Sequence, residues 1–301
     1  MTGIAVVGSL NEDLVVQVSE APSAGETVLA RGHQRGLGGK GANQAVAAAR
    51  LGGRVHLTGC LGDDAGGIEF RRRLAAERID TTGIRVREGS ATGLAVIVVD
   101  RAGENRILVS AGSNSTLGPG DLSERVLATA SVVLAQLEVP ATAVLTAFRM
   151  ASGLRILNAA PAAPVSAELL ELVDVLVVNE TELASITGRG IPDGPDGALA
   201  LAGVVTGPNA VVVTLGGAGC VVRTAGESWH EPGHTVPVVD TTAAGDAFCG
   251  ALAVRLCAGD DLRHAVRYAT RVGAAVVTRR GAIDSLPTLT ELDDPDEGWN
   301  A

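Results

Sequence analysis

The feature that most constrains this chain is a series of apolar runs that do not alternate with polar residues. Ile4–Val7, Val55–Leu57, Val132–Leu137, Leu154–Leu157, Val173–Val178 and Val211–Leu215 are of this kind, several rich in β-branched side chains. A strand with one wet face alternates, whereas a strand covered on both faces need not. Helix-forming stretches separate the runs. In one, Ala42, Ala45, Val46 and Ala49 fall at i, i+3, i+4 and i+7 before Gly52-Gly53. The segments Ala247–Cys257, ending near Gly259, and Leu262–Thr278 read as buried helices. Strand–helix alternation of this type predicts an α/β fold, a three-layer doubly wound, mostly parallel sheet with helices on both faces. Aromatic residues make up only 2% of the 301 residues, so the core must come from Ala, Val, Leu and Ile.

Two segments break the rhythm. Leu14–Val18 and Thr27–Arg31 flank a Pro-Ser-Ala-Gly turn, and Leu94–Asp100 and Arg106–Ser110 flank Arg101-Ala-Gly-Glu-Asn. Both predict β-hairpins, which do not belong in a doubly wound core. Residues 1–301 therefore read as one domain from which a small β-sheet, about 11–36 and 92–111, projects as a lid. The acidic run 293–297 reads as a solvated tail, and Arg71-Arg72-Arg73 as an exposed helix face.

A net charge of −10 and the scarcity of aromatic side chains argue against a nucleic-acid partner, which calls for a basic field or a stacking surface. No stretch reaches the ~18 apolar residues of a membrane span, and the first residues lack the basic start and apolar run of a signal peptide. Cys60, Cys220, Cys249 and Cys257 show no paired spacing and read as small buried thiols. The expectation is a soluble cytoplasmic protein without a membrane partner.

Three places could hold chemistry. The first is Gly36-Leu-Gly38-Gly39-Lys40-Gly41-Ala42-Asn43, which runs into the Ala42 helix. It matches G-x-G-x-x-G, but the preceding segment is the lid hairpin and not a core strand, so a dinucleotide site is disfavoured. A Walker A loop fails because Gly41 follows Lys40. What stands is that glycines let backbone amides approach a ligand at a helix start. Lys40 is the sole lysine beside 23 arginines. Either a compact ammonium is required there, or this lysine is a chance survivor.

The second is Asp240-Thr241-Thr242-Ala243-Ala244-Gly245-Asp246, which opens a long apolar helix. Successive amides from Ala243 to Asp246 suit an anion hole, and Asp246 reads as a general base or as a first-turn capping acid. The third is Val211–Gly219, a buried strand entering a glycine turn, with Asn179-Glu180-Thr181-Glu182 in the same position after another strand. Ligands collect at such strand ends, although a tight turn and a helix cap explain the same residues.

In their order along the chain, GSLNED, GGKGANQAVAAARLG, GENRI, QLE, LNAAPA, NETE, TLGGAG, DTTAAGDAF and VTRRGA resemble the ribokinase family of carbohydrate kinases, the PfkB-type sugar kinases. The resemblance runs from Ile4 to about Pro287, and GGKGAN and DTTAAGD are its most specific parts. It implies a parallel sheet with a β lid, a homodimer joined through the lid, and ATP-dependent phosphorylation of D-ribose at the 5-hydroxyl. The alternatives are another acceptor (2-deoxyribose, a nucleoside, another sugar) or a non-catalytic sugar-binding protein.

By the same resemblance Asp246 is the catalytic base, and Ala243, Ala244 and Gly245 form the anion hole. Asn11, Glu12 and Asp13 bind the sugar, with Gly39, Lys40, Gly41, Ala42 and Asn43 lining its pocket and Glu138 contacting it. Lys40 also counts among the catalytic groups. Asn179, Thr214, Leu215, Gly216, Gly217, Ala218, Gly219 and Thr270 match the ATP site, which Gly245 and Asp246 border. Glu182 matches the residue that organises Mg²⁺ through water. Asp240, Thr242, Val276, Arg279, Gly281 and Ser285 match a loop pair that binds K⁺. Two positions depart from the family: Thr270 replaces Asn or His, and Glu12 stands where Ala is frequent.

Overall fold

The apolar runs form strands buried on both faces. The computed structural model describes residues 3–101, 103 and 105–292. Its strands are β1 Ile4–Val7, β2 Asn11–Gln17, β3 Gly32–Gly38, β4 Val55–Gly62, β5 Asp80–Arg87, β6 Gly93–Val99 and β7 Asn105–Ser110. They continue with β8 Val132–Gln136, β9 Leu154–Asn158, β10 Val175–Asn179, β11 Ala210–Thr214, β12 Cys220–Thr224 and β13 Ser228–Glu231. Nine form one sheet in the order β13-β12-β11-β10-β9-β8-β1-β4-β5, parallel from β11 through to β5. The last two strands, β12 and β13, add antiparallel at one edge.

Successive side chains of a strand point to opposite faces, and the core divides accordingly. Ile4, Val6, Val132 and Leu134 pack on one side with the helices Lys40–Arg50, Ala244–Ala258 and Leu262–Val276. Ala5, Val7, Val133 and Ala135 pack on the other, against the helix Ala141–Met150 among others. Cys60, Cys220 and Cys249 are buried, Cys257 is half-buried, and all four are free thiols. Among the described residues no helix is long and apolar enough to cross a membrane.

The remaining strands form a second sheet, β3-β2-β6-β7. Its β6–β7 hairpin lies where the sequence predicts it, although residues 102 and 104 of its turn, like the acidic run 293–297, lie outside the described residues. The other hairpin is displaced. Strand β2 pairs with Gly32–Gly38 and not with Thr27–Arg31, so residues 18–31 form a long connection in place of a tight turn. The pairing partner contains three glycines and no apolar alternation, so its pattern carries no strand signal. Register decides it: Asp13 lies opposite Gly36 and Asn11 opposite Gly38. Strands β5, β12 and β13 were also not predicted. Strands β5 and β13 lie at the sheet's edges, where one-sided burial weakens an apolar run, and β12 has only the short apolar stretch Cys220–Val222 before Arg223.

Parallel topology brings the ends of β1, β8, β9, β10 and β11 to one side of the sheet. Two helices start above that rim, Lys40–Arg50 and Ala244–Ala258, and they cross at Gly250. A Cβ on Gly250 would lie 2.8 Å from the Gln44 carbonyl oxygen, 3.0 Å from the Ala48 nitrogen and 2.7 Å from the Ala47 Cβ. Two of these are backbone atoms, so the helices must separate to admit it. Gly250→Ala is expected to cost about 1–3 kcal/mol in urea unfolding. Turnover should fall as well, because the two helices carry the residues of the site described next.

Candidate active site

The helix Lys40–Arg50 begins abruptly at Gly39, whose φ of 85° lies in the left-handed region. A Cβ there would also stand 2.7 Å from the Asn11 nitrogen, so glycine is required twice over. No side chain of its own caps this helix; residues distant in sequence do so. The Lys40 N–H donates to Glu138 Oε2 at 3.0 Å, and the Gly41 N–H to Ser9 Oγ at 3.3 Å. The Ala42 N–H donates to the Ser9 carbonyl, and the Ser9 hydroxyl donates to Glu138 Oε2. Glu138, just beyond β8, thus anchors the glycine-rich turn to the end of the sheet. Asn11 is buried, and its Oδ1 accepts from Asn114 Nδ2, which also holds the Leu10 carbonyl.

The helix Ala244–Ala258 starts from Ala243, an alanine in left-handed conformation (φ 61°, ψ 7°). L-residues adopt this region rarely. No side chain caps the helix; the Ala244 N–H donates to the Thr241 carbonyl at 3.3 Å, and the Gly245 and Asp246 amides, with the positive dipole end, are left to an anion. Asp246 lies in the first turn and is 7% exposed. Its Oδ2 accepts from Asn43 Nδ2 and its Oδ1 from Gln44 Nε2, both at 2.9 Å. Asp246 does not cap its own helix; it is held from the neighbouring one.

Around this point the charges interact strongly. Burial pushes the Asp13 carboxyl up to about 7, helped by the negative charges of Glu138 and Asp246. Burial disfavours the Lys40 ammonium, yet Asp246, Glu138 and Glu182 outweigh it and hold Lys40 above the ordinary lysine value. Burial raises Glu182, with Asp246 adding to it, while the Asn179 N–H and Lys40 pull the other way. Lys40 is therefore the positive centre of a cluster of carboxylates.

Beside it, a cleft of about 580 Å³ runs between the small sheet and the loops 238–242 and 280–284. Asp13, Val15, Gln17, Ile97, Val99 and Asn105 line it from one face of that sheet. Glu12 points to the other face and lies against Gly66 and Arg35, so it does not join Asn11 and Asp13 at the site.

Asn179 and Glu182 cap the helix Glu180–Thr187 reciprocally, with both N–H···O bonds at 2.8 Å. The capping explanation for this motif is therefore realised, and it occupies Oε2 of Glu182. Asn179 lies in register with Thr214 at the ends of β10 and β11. The turn Leu215-Gly216-Gly217-Ala218-Gly219 follows, with φ of 55° at Gly216 and 88° at Gly219. Thr270 is buried, its hydroxyl donating to the Val266 carbonyl and lying against the Cys220 thiol.

Asp240 ties two loops together. Its Oδ1 accepts from the Thr242 N–H (2.9 Å) and hydroxyl (2.6 Å), and its Oδ2 from the Gly281 N–H at 2.9 Å. Burial opposes its charge, but these donors and Arg280 hold its carboxyl below the ordinary range. The Val276 carbonyl accepts from the Arg279 N–H, and the Arg279 side chain pairs with Glu291. Ser285 is buried, with its hydroxyl on the Ala282 carbonyl.

The sequence matches the pfkB family carbohydrate kinase profile over residues 1–289. The chain belongs to the pfkB family of carbohydrate kinases. This kinase is 38% identical to a ribokinase of Schizosaccharomyces pombe, with 97% of each chain covered. It is 39% identical to a ribokinase of Haemophilus influenzae, with 96% of each covered. A deoxyribokinase of Salmonella typhi is 35% identical, with 97% of each covered. Among solved structures, a ribokinase from Thermotoga maritima superposes with a TM-score of 0.89 at 33% identity, covering 99% of both chains. An Arabidopsis thaliana ribokinase complexed with ribose and ATP gives 0.89 at 31% identity, covering 97% of this chain and 98% of that one. The expected fold, a largely parallel sheet with helices on both faces and a separate small sheet, is the one observed in this kinase.

The sequence reading missed Ser9, Gln44, Asn114, Gln136 and Asn158. Ser9 lies in the quoted GSLNED, Gln44 in GGKGANQAVAAARLG, Gln136 in QLE and Asn158 in LNAAPA, so these four carried a signal by position alone.

The Asp13 carboxyl gives a test that needs no ligand. Its folded value of about 7 exceeds the ordinary 3.8, so between these pH values the folded state binds more protons than the unfolded state. Stability contributed by this group therefore falls as pH rises through that window. Asp13→Asn should raise Tm at pH 8 by about 3 °C or more, and the gain should vanish at pH 4, where Asp13 is already neutral. Scanning calorimetry at the two pH values checks it; an equal gain at both would mean that charge is not the cause.

Proposed function

We propose that this kinase phosphorylates D-ribose at the 5-hydroxyl with ATP, giving ribose 5-phosphate and ADP. The observation that carries the reading is the Asp246 carboxylate, fixed by Asn43 and Gln44 one residue after an uncapped turn of amides. The full-length ribokinase relatives support ribose as acceptor. In the reaction, Asp246 accepts the 5-hydroxyl proton while that oxygen attacks the γ-phosphorus. The new O–P bond forms as the β–γ bridge breaks, and ADP leaves with the electron pair. Ala243, Ala244 and Gly245 present amides to the charge that develops on the transferring group, and Lys40 adds its ammonium.

Asn11 and Asp13, with Asn43, Glu138 and the backbone of Gly39–Ala42, hold the sugar. Asn179, Thr214, Leu215 and the turn 216–219 hold ATP, with Thr270 beneath the nucleotide. The small sheet closes over the sugar as a lid. Its far face carries Leu14, Val16, Val96, Val98 and Leu108 beside the paired Glu12 and Arg35, and Leu108 is 63% exposed. That surface suits a homodimer joined lid to lid.

Glu182, with one oxygen engaged in its cap, would hold Mg²⁺ through water with the other, and the metal would shield the charge of the ATP phosphates. At the Asp240 loops the donors suit a monovalent ion. The single carboxylate there, Asp240, spans the two loops by accepting from the Thr242 and Gly281 N–H groups. Asp240 and Thr242, with the backbone of Val276, Arg279 and Gly281 and with Ser285, would hold K⁺, which would supply a fixed positive charge near the anion hole.

Coupled ADP release over a panel of sugars and nucleosides tests the reading. Ribose should give the highest kcat/KM, above 2-deoxyribose, and ADP release with no acceptor on the panel would sink it. Asp246→Asn should lower kcat by about 10³-fold while sugar affinity stays within about tenfold; retention of a tenth of wild-type turnover would remove Asp246 as the base. Exchanging K⁺ for Na⁺ at constant ionic strength should lower kcat several-fold with little change in KM, and indifference to the ion would remove the activating site.

A further inference from the structure

Beneath Asp246 lies a chain of buried side-chain amides that the mechanism above does not use. Gln44 and Gln136 are fully buried, and Asn158 is 8% exposed. They come from three elements: the helix Lys40–Arg50 and the ends of β8 and β9. Their hydrogen bonds have a direction. Asn158 Nδ2 donates to the Val177 carbonyl at 3.2 Å. A backbone carbonyl can only accept, so this contact fixes which way the Asn158 amide faces. Asn158 Oδ1 must then accept, and it does so from Gln44 Nε2 at 3.0 Å. Gln136 Nε2 donates to Gln44 Oε1 from the other side. Gln44 is thereby held with its NH₂ group outward, and its second hydrogen goes to Asp246 Oδ1 at 2.9 Å.

We infer that Gln44 is a positioning residue for catalysis, its orientation set by Asn158 and Gln136 so that its amide presents one fixed donor to Asp246. Each Asp246 oxygen then receives one protein N–H, from Asn43 on Oδ2 and from Gln44 on Oδ1. One lone pair per oxygen stays available for a substrate proton. Donors on both oxygens fix the plane of the carboxylate, so the base is aimed before substrate arrives. A flipped Gln44 would present oxygen to oxygen, and the polarity of the chain prevents it. Lys40, Asp13, Glu182 and the Cys249 thiol also act on Asp246 electrostatically and stay in place in the variants below.

This inference rests on Asp246 being the base. The experiment is the pH dependence of kcat at saturating sugar and ATP for Gln44→Met and Gln44→Glu, with Asp246→Asn measured alongside. Gln44→Met removes the donor at similar length. Kcat at pH 7 should fall at least tenfold, the acid limb should move up by about one pH unit or more, and sugar KM should change less than threefold. Gln44→Glu keeps the acceptor for Gln136 but sets a second carboxyl against Asp246. The pair must share a proton, so its last proton leaves at higher pH and the limb again moves up.

If Gln44→Met does not fold, the Gln44→Glu profile decides alone. An acid limb that stays in place while kcat falls would reduce Gln44 to a structural residue and overturn the inference, as would an unchanged kcat. Near-normal turnover by Asp246→Asn would instead overturn the assignment of the base, so the two failures are distinguishable.

Discussion

Carboxylates converge on one ammonium, and much of the site is arranged around that fact. Asp246, Glu138 and Glu182 all act on Lys40, and Asp13 is in turn raised by Glu138 and Asp246. Acids so placed repel one another in a partly dry space, where such repulsion is strong. Lys40 offsets part of it, and hydrogen-bond donors offset more: Asn43 and Gln44 at Asp246, Ser9 and the Lys40 N–H at Glu138, the Asn179 N–H at Glu182. Among the described residues no donor of this kind reaches Asp13, whose carboxyl is pushed up to about 7. The cluster of acids is thus held together by amides and one cation.

The backbone arrangement follows from the same demand. Two helix starts face the cluster, one capped by residues from outside its own sequence and one left uncapped. They stand close because Gly250 lets the helices touch. Glu138 links the first of them to β8, so the recognition turn cannot move independently of the sheet. Asp240 does the same for the second, joining the turn before it to the loop at Gly281. The first start is fixed by a carboxylate drawn from elsewhere in the chain, the second by a carboxylate of its own approach loop.

Much of this was legible in the sequence. The unbroken runs at Ile4–Val7 and Val132–Gln136 announced strands covered on both faces, since only such burial removes alternation. The glycine-rich turn and the Ala243–Asp246 segment stood out because both open helices with small residues, and the family resemblance tied them to one site. Strand β3 was not legible, because Gly-His-Gln-Arg-Gly-Leu-Gly becomes a strand only by pairing with β2. Glu12 could be placed only once its neighbours Arg35 and Gly66 showed its side chain on the face of β2 away from Asp13. The amides were least legible of all. Gln44 meets Gln136 across 92 residues of sequence, Asn158 across 114 and Asp246 across 202. A buried glutamine has no periodicity of its own, and its role exists only in those contacts.

The solitary lysine has a practical corollary. Supplying lysine labelled with ¹³C or ¹⁵N to cells making this protein would mark a single side chain, the one enclosed by the carboxylates. Its ammonium resonance would be a spectrum with one line, with no assignment problem and no background from surface residues. Any event that changes the charge near Asp246, Glu138 or Glu182 must move that line, so the composition of the chain has already built a spectroscopic probe into its most crowded site.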